Sequence, residues 1–257
     1  MATPHKLGKL VKKHDPRTFQ LSQYIRPTPR AEIRKPPNKI GFYEKIETWP
    51  MLLNNKIGDC TCAAAGHMIK SWSTYTGDPC TPTDTAILNA YKAVSGYIPG
   101  CPGSDQGAYM LDVLNYWRHY GIGGHKITAF LEFPTNIKKI GWHFKNSIWQ
   151  FGGAYIGMQL PLSAQAQMGS VWIVPPNGPV GWGEKGSWGG HCITILEYDS
   201  GGLNCITWGA VQRMSWSFFS TYADEAYAIL SPDWATASKI SPSNFDYNQL
   251  MADISTL

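Results

Sequence analysis

Two stretches of the chain carry clear patterns of apolar residues. TCAAAGHMIKSW (61–72) opens with a run of alanines, which predicts an α-helix. Later in the chain, the β-branched runs HCITILEY (191–198) and LNCITWG (203–209) flank the turn residues DSGG, which predicts an antiparallel β-hairpin. The chain thus combines an early helix with late antiparallel strands.

The start of the predicted helix holds two cysteines. Asp59 follows Gly58 and is a good N-cap, which would place Cys60 at the first helical position. A thiol there feels the positive end of the helix dipole and unpaired backbone N–H groups, and both favour the thiolate. Cys62 lies about 200° further round the helix and points into the core. We therefore predict that Cys60, and not Cys62, is the reactive thiol.

Two other interpretations of this cysteine pair stay open. Cys60 could be a small buried hydrophobic residue at a helix start. A zinc site shared by Cys60 and Cys62 is disfavoured, because the two side chains leave the helix on opposite sides, so no metal is expected. A reactive cysteine also needs a base. His191, which follows two glycines and opens the hairpin, is the candidate, whereas His67 is expected to pack inside.

The first 40 residues differ in composition from the rest of the chain. They hold ten Lys or Arg against Asp15 and Glu32, and six of the 18 prolines. This segment therefore carries a charge of +8 in a chain of net charge +4, and the remainder is acidic. A segment of this composition is extended. Three roles stay open: a strap along the acidic body, an arm that docks onto a partner subunit or nucleic acid, and a plug over an active site.

Three features that the sequence lacks indicate where the protein is expected to be located. No apolar run approaches the roughly 20 residues that cross a bilayer, so no membrane contact is expected. The basic N-terminus lacks the apolar segment of a secretory signal. The six cysteines follow no tight disulfide framework and are expected to be reduced. These features favour a cytoplasmic or virion-associated protein over one secreted by a signal peptide.

The order of the motifs resembles the papain-like cysteine peptidases. An early Cys at a helix start is followed by a His 131 residues later. GCPGSDQGAYMLDVLNYWRHYGIGG (100–124) is similar to the glycine-rich substrate loop and helix of that family, and IGWHFKNSIWQFGGAYIGMQLP (140–161) to its helix and right-lobe strand. TWGAVQRMSWSFFSTYADEAYAIL (207–230) is similar to its closing segment. GDCTCAAAGHM also resembles uncharacterised papain-like proteins of bacteriophages and bacteria.

The resemblance implies a two-lobed α+β fold, with a helical lobe and an antiparallel β lobe, and a set of site residues. The papain-like domain would span 46–235, with a helical lobe over about 50–130 and a β lobe over about 131–235. The arm would precede it over 1–45, and a tail would follow over 236–257. By position, the roles are Cys60 as nucleophile, His191 as base, Asn54 as oxyanion donor, Gly103 and Ser104 as substrate-binding residues, and Trp208 as the shield of the histidine.

One departure from the family concerns the residue that orients the histidine. Counting back from Trp208 places Ile206 where the family has Asn. With a two-residue turn at Ser200–Gly201, strand pairing puts Ile206 on the face of His191 and Asn204 one pair further. Thr207 would point away unless a bulge rotates it inward. Thr207 and Asn204 therefore both remain candidates for orienting the imidazole.

Two functions follow as hypotheses. The first is thiol-dependent hydrolysis of peptide or protein amide bonds by a Cys60–His191 dyad, without a metal or organic cofactor. The second is a catalytically weak or inactive structural or assembly protein of a virion, anchored to other subunits by residues 1–40. The basic arm and the missing Asn favour the second hypothesis. Contact between the arm and nucleic acid is a less favoured alternative, because no base-reading motif accompanies the basic residues.

Overall fold

The computed structural model describes residues 5–24, 35–135, 137–237 and 245–256. The helices are α1 (Cys60–Thr76), α2 (Asp84–Ser95), α3 (Met110–His119), α4 (Ile137–Phe151), α5 (Ser163–Ala166), α6 (Trp216–Tyr222), α7 (Pro232–Ala237) and α8 (Tyr247–Ile254). The strands are β1 (Ile40–Gly41), β2 (Ala129–Glu132), β3 (Ala154–Leu160), β4 (Val171–Trp172), β5 (Gly189–Tyr198), β6 (Leu203–Thr207), β7 (Ala210–Met214) and β8 (Ala223–Leu230).

All of these strands join one sheet. Its order is β2-β8-β3-β5-β6-β7-β4, and β1 pairs with β5. The pairs are antiparallel except for β4 with β7. Helices α1 to α3 precede every strand but β1, so helices dominate the first half and strands the second. The predicted α+β class is confirmed.

Helix α1 lies at the centre of the molecule. It is buried continuously over its first ten residues, because both its alanine face and its polar positions contact other elements. Two side chains of the sheet donate hydrogen bonds to carbonyl groups of α1, and Trp72 of α1 donates to the carbonyl group at the end of α4. The bonds are Tyr155 Oη to Thr61 O (2.7 Å), Thr194 Oγ1 to Ala64 O (2.6 Å) and Trp72 Nε1 to Phe151 O (3.0 Å). These contacts hold the start of α1 against β3 and β5.

Helix α1 begins at the predicted residue, but the side chain of its N-cap residue does not cap the helix. Asp59 is the N-cap residue and Cys60 is the first helical residue. The Asp59 side chain makes no capping hydrogen bond, because its backbone (φ −96°, ψ 19°) is not in the extended conformation that aims a cap side chain at the helix. The carboxyl group is buried instead, and burial raises its pKa well above the ordinary value, an effect that the Asn54 amide opposes in part.

The hairpin of β5 and β6 contains a register shift that the sequence did not reveal. Tyr198 pairs with Leu203 and Glu197 with Asn204, as a two-residue turn requires. Beyond a bulge at Leu196, Ile195 pairs with Cys205, one residue out of the original register. A shift of one residue moves every later side chain to the other face of the strand. The prediction that Ile206 faces His191 is therefore wrong.

The described part of the N-terminal arm lies along the body of its own chain. Lysines of the arm pair with acidic side chains of α3, β2 and β8, which are Lys9 with Asp224 and Glu225, Lys12 with Glu132, and Lys13 with Asp112. The strap prediction fits these contacts. The segment expected to be a C-terminal tail includes α8, which packs on the arm: Tyr24 Oη donates to Asp253 (2.8 Å), and Leu250 is fully buried.

Three further observations apply to the described residues only. All six cysteines are free thiols. None of the helices is long and apolar enough to cross a membrane. In the same ranges, no group of three or more His, Cys, Asp or Glu side chains is arranged to hold a metal ion.

Candidate active site

Cys60 lies at the N-terminus of α1, where the helix meets β5 and the arm. Its side chain is fully buried, and the backbone N–H groups of Cys192 and Gly8 face its sulfur. Burial raises the pKa of the thiol to about 12, although both N–H groups act in the opposite direction. The expected thiolate is therefore not the form present here. The helix terminus is in place, but the buried sulfur lacks the water that an anion would need.

His191 lies on β5, next to Cys192. Its Nε2 is 2.6 Å from Thr207 Oγ1, and its ring stacks on Trp208 with 4.0 Å between ring centroids and 11° between planes. Burial lowers the pKa of the imidazole to about 3, so the ring is neutral. We assign the Nε2–H as donor to Thr207, which leaves the lone pair on Nδ1. That atom makes no hydrogen bond to any described residue.

The register shift between β5 and β6 explains why Thr207 is the hydrogen-bond partner of His191. It turns Cys205 and Thr207 to the face of His191 and sends Ile206 to the other side, where Ile206 packs with Ile46, Trp49 and Leu196. Of the two candidates on β6, Thr207 is the one that contacts His191. Asn204, the other candidate, contacts Tyr43 Oη (3.0 Å) and Glu197 instead.

Trp208 reaches the histidine through a tight turn. Thr207 pairs with Ala210, so Trp208 and Gly209 form the two-residue loop between β6 and β7. Both have positive φ, 44° and 70°, as a type I′ turn requires. This conformation is uncommon for a bulky residue and costs about 1 to 3 kcal/mol. The turn brings the indole onto the imidazole.

The three remaining predicted residues are Asn54, Gly103 and Ser104, whose hydrogen bonds lie within their own loops. Asn54 is buried, and its amide donates to Ile57 O at 3.4 Å within its own loop. Gly103 and Ser104 form a short turn on the surface, in which the Ser104 hydroxyl bonds to the carbonyl groups of Ile98 and Cys101. Their predicted roles in oxyanion and substrate binding stay predictions.

The arm runs through the cleft between Trp208 and the loop before α3. The Lys6 carbonyl accepts a hydrogen bond from Trp208 Nε1 (2.9 Å), and His5 lies 4.7 Å from the indole ring. Backbone bonds fix the rest of the segment: Lys6 N to Asn54 O (3.1 Å), Gly8 N to Gly190 O (3.3 Å), Lys9 N to Gly190 O (3.1 Å), Leu10 N to Ala108 O (3.1 Å) and Ala108 N to Gly8 O (2.8 Å). The segment thus pairs like an added strand.

Glycines make this close pairing possible. A Cβ atom on Gly8 would lie 1.8 Å from Gly58 O. On Gly107 it would lie 2.1 Å from Gly8 O, and on Gly190 it would lie 2.1 Å from Lys9 O. Contacts this short with backbone atoms cannot be relieved by a side-chain rotation. The arm and both walls of the cleft therefore need glycine at these positions.

Sequence reasoning missed the residues that line the arm. Gly107 and Ala108 hold its backbone, although the notable glycines of that loop pointed to Gly103. The pair Asp224 and Glu225, in the sequence ADEAYAIL, reads as an ordinary strand start. The +8 charge of the arm against an acidic body was the one signal that could have paired Lys9 with them.

No family model and no curated protein matches the sequence. Solved structures do match the fold. Xylellain, a cysteine protease from Xylella fastidiosa, is 14% identical with a TM-score of 0.64, over 90% of this chain and 98% of that one. ProCathepsin B S9 from Trypanosoma congolense is 10% identical with a TM-score of 0.55, over 88% and 86%. Bromelain from Ananas comosus, in complex with the E64 inhibitor, is 15% identical with a TM-score of 0.50, over 76% and 99%. The chain has the papain-like fold.

Proposed function

We propose that the chain is a thiol-dependent peptide hydrolase whose own N-terminal arm occupies its substrate cleft. Cys60 is the nucleophile, His191 is its base, and Thr207 and Trp208 hold the imidazole. The observation that carries the proposal is the placement of His191 between Thr207 and Trp208, next to the backbone N–H that faces the Cys60 sulfur. The arm explains why the thiol is buried and protonated.

The chemistry would begin when the arm leaves. Water then reaches the site, the pKa of the Cys60 thiol falls toward the range of a helix N-terminus, and His191 Nδ1 takes the proton. The sulfur attacks the amide carbonyl, and the Cys60 N–H stabilises the oxyanion, with Asn54 as a further donor if its amide turns from Ile57. The imidazolium gives its proton to the departing amine. Water then hydrolyses the thioester and restores the thiol.

Thr207 replaces the side-chain amide that the papain-like family uses to orient its histidine. A hydroxyl can accept the Nε2–H at 2.6 Å and fix the tautomer, which leaves Nδ1 free as the base. Stacking on Trp208 restricts the ring further and shields this hydrogen bond from water. Thr207 and Trp208 thus orient the imidazole of His191 without a charged side chain.

The test is the rate of peptide hydrolysis by a variant whose arm cannot bind in the cleft. Gly8→Ala places a methyl group against Gly58 O, and Gly141→Ala is the matched control because a Cβ there meets nothing within 4 Å. We expect Gly8→Ala to cleave a mixed peptide pool at least tenfold faster than either the natural chain or Gly141→Ala. Adding Cys60→Ser should abolish that cleavage. Activity that survives Cys60→Ser, or a Gly8→Ala chain with displaced arm and no cleavage, would refute the proposal.

A second function is favoured by one observation. The arm carries a lysine whose side chain is fully buried between two carboxylates, a contact suited to permanent closure. In that case the chain is a catalytically inactive structural or assembly protein, and the likeness of GDCTCAAAGHM to phage-encoded proteins suggests a virion. The same experiment separates the two functions, because a permanent closure predicts no cleavage by Gly8→Ala.

A further inference from the structure

A cavity of about 330 Å³ lies between the N-terminal arm and the body of the protein. Residues of the arm between 15 and 19 form one wall, and residues of α3 and β2 form the other. The residues that line this arm cavity do not include any residue of the candidate active site. Its volume is at the lower end of the range for small-molecule sites, which is roughly 300–1,000 Å³.

Contacts on both sides of the arm cavity hold its two walls together. Before the cavity, Lys13 Nζ donates to Asp112 Oδ1 of α3 (2.7 Å). After it, the backbone N–H of Glu132 in β2 donates to the carbonyl group of Phe19 (2.8 Å). The space between the two anchors is therefore a formed site that needs no rearrangement before a ligand enters.

Three polar side chains that line the arm cavity have no partner in the described part of the chain. Those of Thr18, Asn115 and Arg118 form no hydrogen bond or ion pair with any described residue, and all three are half-buried. Arg17 differs, because its guanidinium bonds to both carboxylate oxygens of Asp15 (3.0 and 2.6 Å). The guanidinium of Arg118 thus brings five donors and an uncompensated positive charge to the cavity.

The end of helix α3 accounts for only part of this arrangement. Arg118 lies in the last turn of α3, where a cation interacts favourably with the helix dipole. The dipole does not explain why a hydroxyl group of the arm and an amide group of α3 line the same cavity without partners. Lys92 lies in the last turn of α2 and is exposed, so it provides a matched helix end for comparison.

The chemistry of the walls indicates the class of ligand. Leu111, Ala129 and Phe130 are buried and give the arm cavity an apolar floor. A guanidinium binds the two oxygens of a carboxylate through parallel hydrogen bonds. The carboxylate of Asp15 also lines the cavity and would repel a ligand with more than one negative charge. A singly charged carboxylate with an apolar body fits both the floor and the charge.

We propose that the arm cavity binds a small carboxylate with an apolar body, and that this ligand bridges the arm and α3. Arg118 binds the carboxylate group, and Thr18 and Asn115 donate further hydrogen bonds to it. Because Thr18 belongs to the arm and Arg118 to the body, bound ligand stabilises the contact between arm and body. The site acts through binding alone, so this inference does not depend on the proposed hydrolase activity.

The test is isothermal titration calorimetry with the full natural chain. The probes are 3-phenylpropionate, 4-phenylbutyrate and octanoate, each compared with its uncharged amide. We expect at least one acid to bind at least about tenfold more tightly than its amide. Arg118→Gln should abolish this difference, whereas Lys92→Gln, which removes a positive charge from the end of α2, should leave it unchanged. Hydrogen exchange of residues 15–19 should slow when that acid binds, but not in Arg118→Gln.

Three results would overturn the proposed site: no binding of any acid, equal binding of each acid and its amide, or a difference that survives Arg118→Gln. Binding that leaves hydrogen exchange of residues 15–19 unchanged would overturn the bridge between arm and body. Circular dichroism checks that each variant is folded. If Arg118→Gln is not folded, Arg118→Lys replaces it, and it should weaken binding of the acid because an ammonium group lacks the planar fork of donors. Unchanged binding by Arg118→Lys would then contradict the proposal.

Discussion

A single hydroxyl group orients the candidate base. Thr207 Oγ1 lies 2.6 Å from His191 Nε2, and both side chains are buried, so water cannot replace the bond easily. Removing one positioned hydrogen bond costs about 1.4 kcal/mol, which corresponds to a factor of about ten in rate. The burial also means that a lost hydroxyl would leave Nε2 without a partner.

We predict that Thr207→Val, in the Gly8→Ala chain, lowers kcat by about tenfold. Valine has the shape of threonine but lacks the hydroxyl, and the imidazole then loses its fixed tautomer. Thr207→Ser keeps the hydroxyl and should retain most of the activity. Peptide hydrolysis followed across pH 5–8 measures both the rate and the pH at which it falls. Equal kcat and equal pH profiles for the valine and serine variants would show that Thr207 does not orient the base.

At the scale of elements, the hairpin register decides which residue of β6 meets the histidine. Ile206 is 1% exposed and belongs to a small apolar cluster on the far side of the sheet from His191. Replacement of a buried aliphatic side chain by an amide removes packing and buries unpaired polar atoms. The position therefore matters for stability and not for the orientation of the imidazole.

We predict that Ile206→Asn lowers the free energy of unfolding by about 3 kcal/mol and brings no gain in hydrolysis. Val211→Asn is the matched control: Val211 is the cross-strand partner of Ile206, but it is 40% exposed and should tolerate the change within about 1 kcal/mol. Urea denaturation gives both values. An Ile206→Asn chain as stable as the natural one and more active would place position 206 beside His191, contrary to the structure.

Local signals predicted the elements better than their register. The alanine run predicted helix α1, Asp59 as N-cap predicted its first residue, and the DSGG turn predicted the hairpin, because all three depend on neighbouring residues. The bulge at Leu196 depends on how β5 and β6 pack against α1 and the rest of the sheet, so no short stretch encodes it. Because that bulge selects Thr207 over Ile206, the third site residue could only be named as one of several candidates.

The path of the N-terminal arm could not be predicted from neighbouring residues in the sequence either. Charge indicated that it would lie on an acidic surface, and its lysines do pair with acidic residues of the body. The binding of the arm in the cleft depends on Gly8, Gly107 and Gly190. These glycines are far apart in the chain and come together only in the fold. The protonation of Cys60 follows from the burial of its side chain. The helix start alone predicted the opposite charge state.

For the whole molecule, buried titratable groups set the dependence of stability on pH. Burial lowers the pKa of His191 to about 3 and that of His67 to about 4. In the unfolded chain both titrate near 6.5, so between these values the unfolded state binds more protons and acid favours unfolding. Burial raises the pKa of Cys60 to about 12, so stability falls again above about pH 8.5, where the unfolded thiol ionises.

We predict that the buried imidazoles lower the Tm as the pH falls below about 6.5 and that the buried Cys60 thiol lowers it above about pH 8.5. His191→Gln should reduce the loss of Tm between pH 7 and pH 5, because that group no longer gains a proton on unfolding. His14→Gln, at an exposed histidine of the arm, is the control. Thermal unfolding by circular dichroism measures the effect. An acid-induced loss of the same size in the natural chain and in His191→Gln would contradict the neutral, buried imidazole.

The proposed function requires that the thiol, the histidine and the arm form one closed site. It predicts that Cys60 becomes reactive when the arm leaves, and that His191 is the reason. The direct measurement is the rate of alkylation by iodoacetamide at pH 6, with the modified residue identified by mass spectrometry. An ordinary thiol with a pKa near 8.5 is barely ionised at this pH.

We expect little labelling of Cys60 in the natural chain and at least tenfold faster labelling in Gly8→Ala, with Cys62 unmodified. Adding His191→Ala should return the rate at Cys60 to that of an ordinary exposed thiol. Preferential labelling of Cys62, or a rate at Cys60 that is the same with and without His191 once the arm is displaced, would contradict the proposed site.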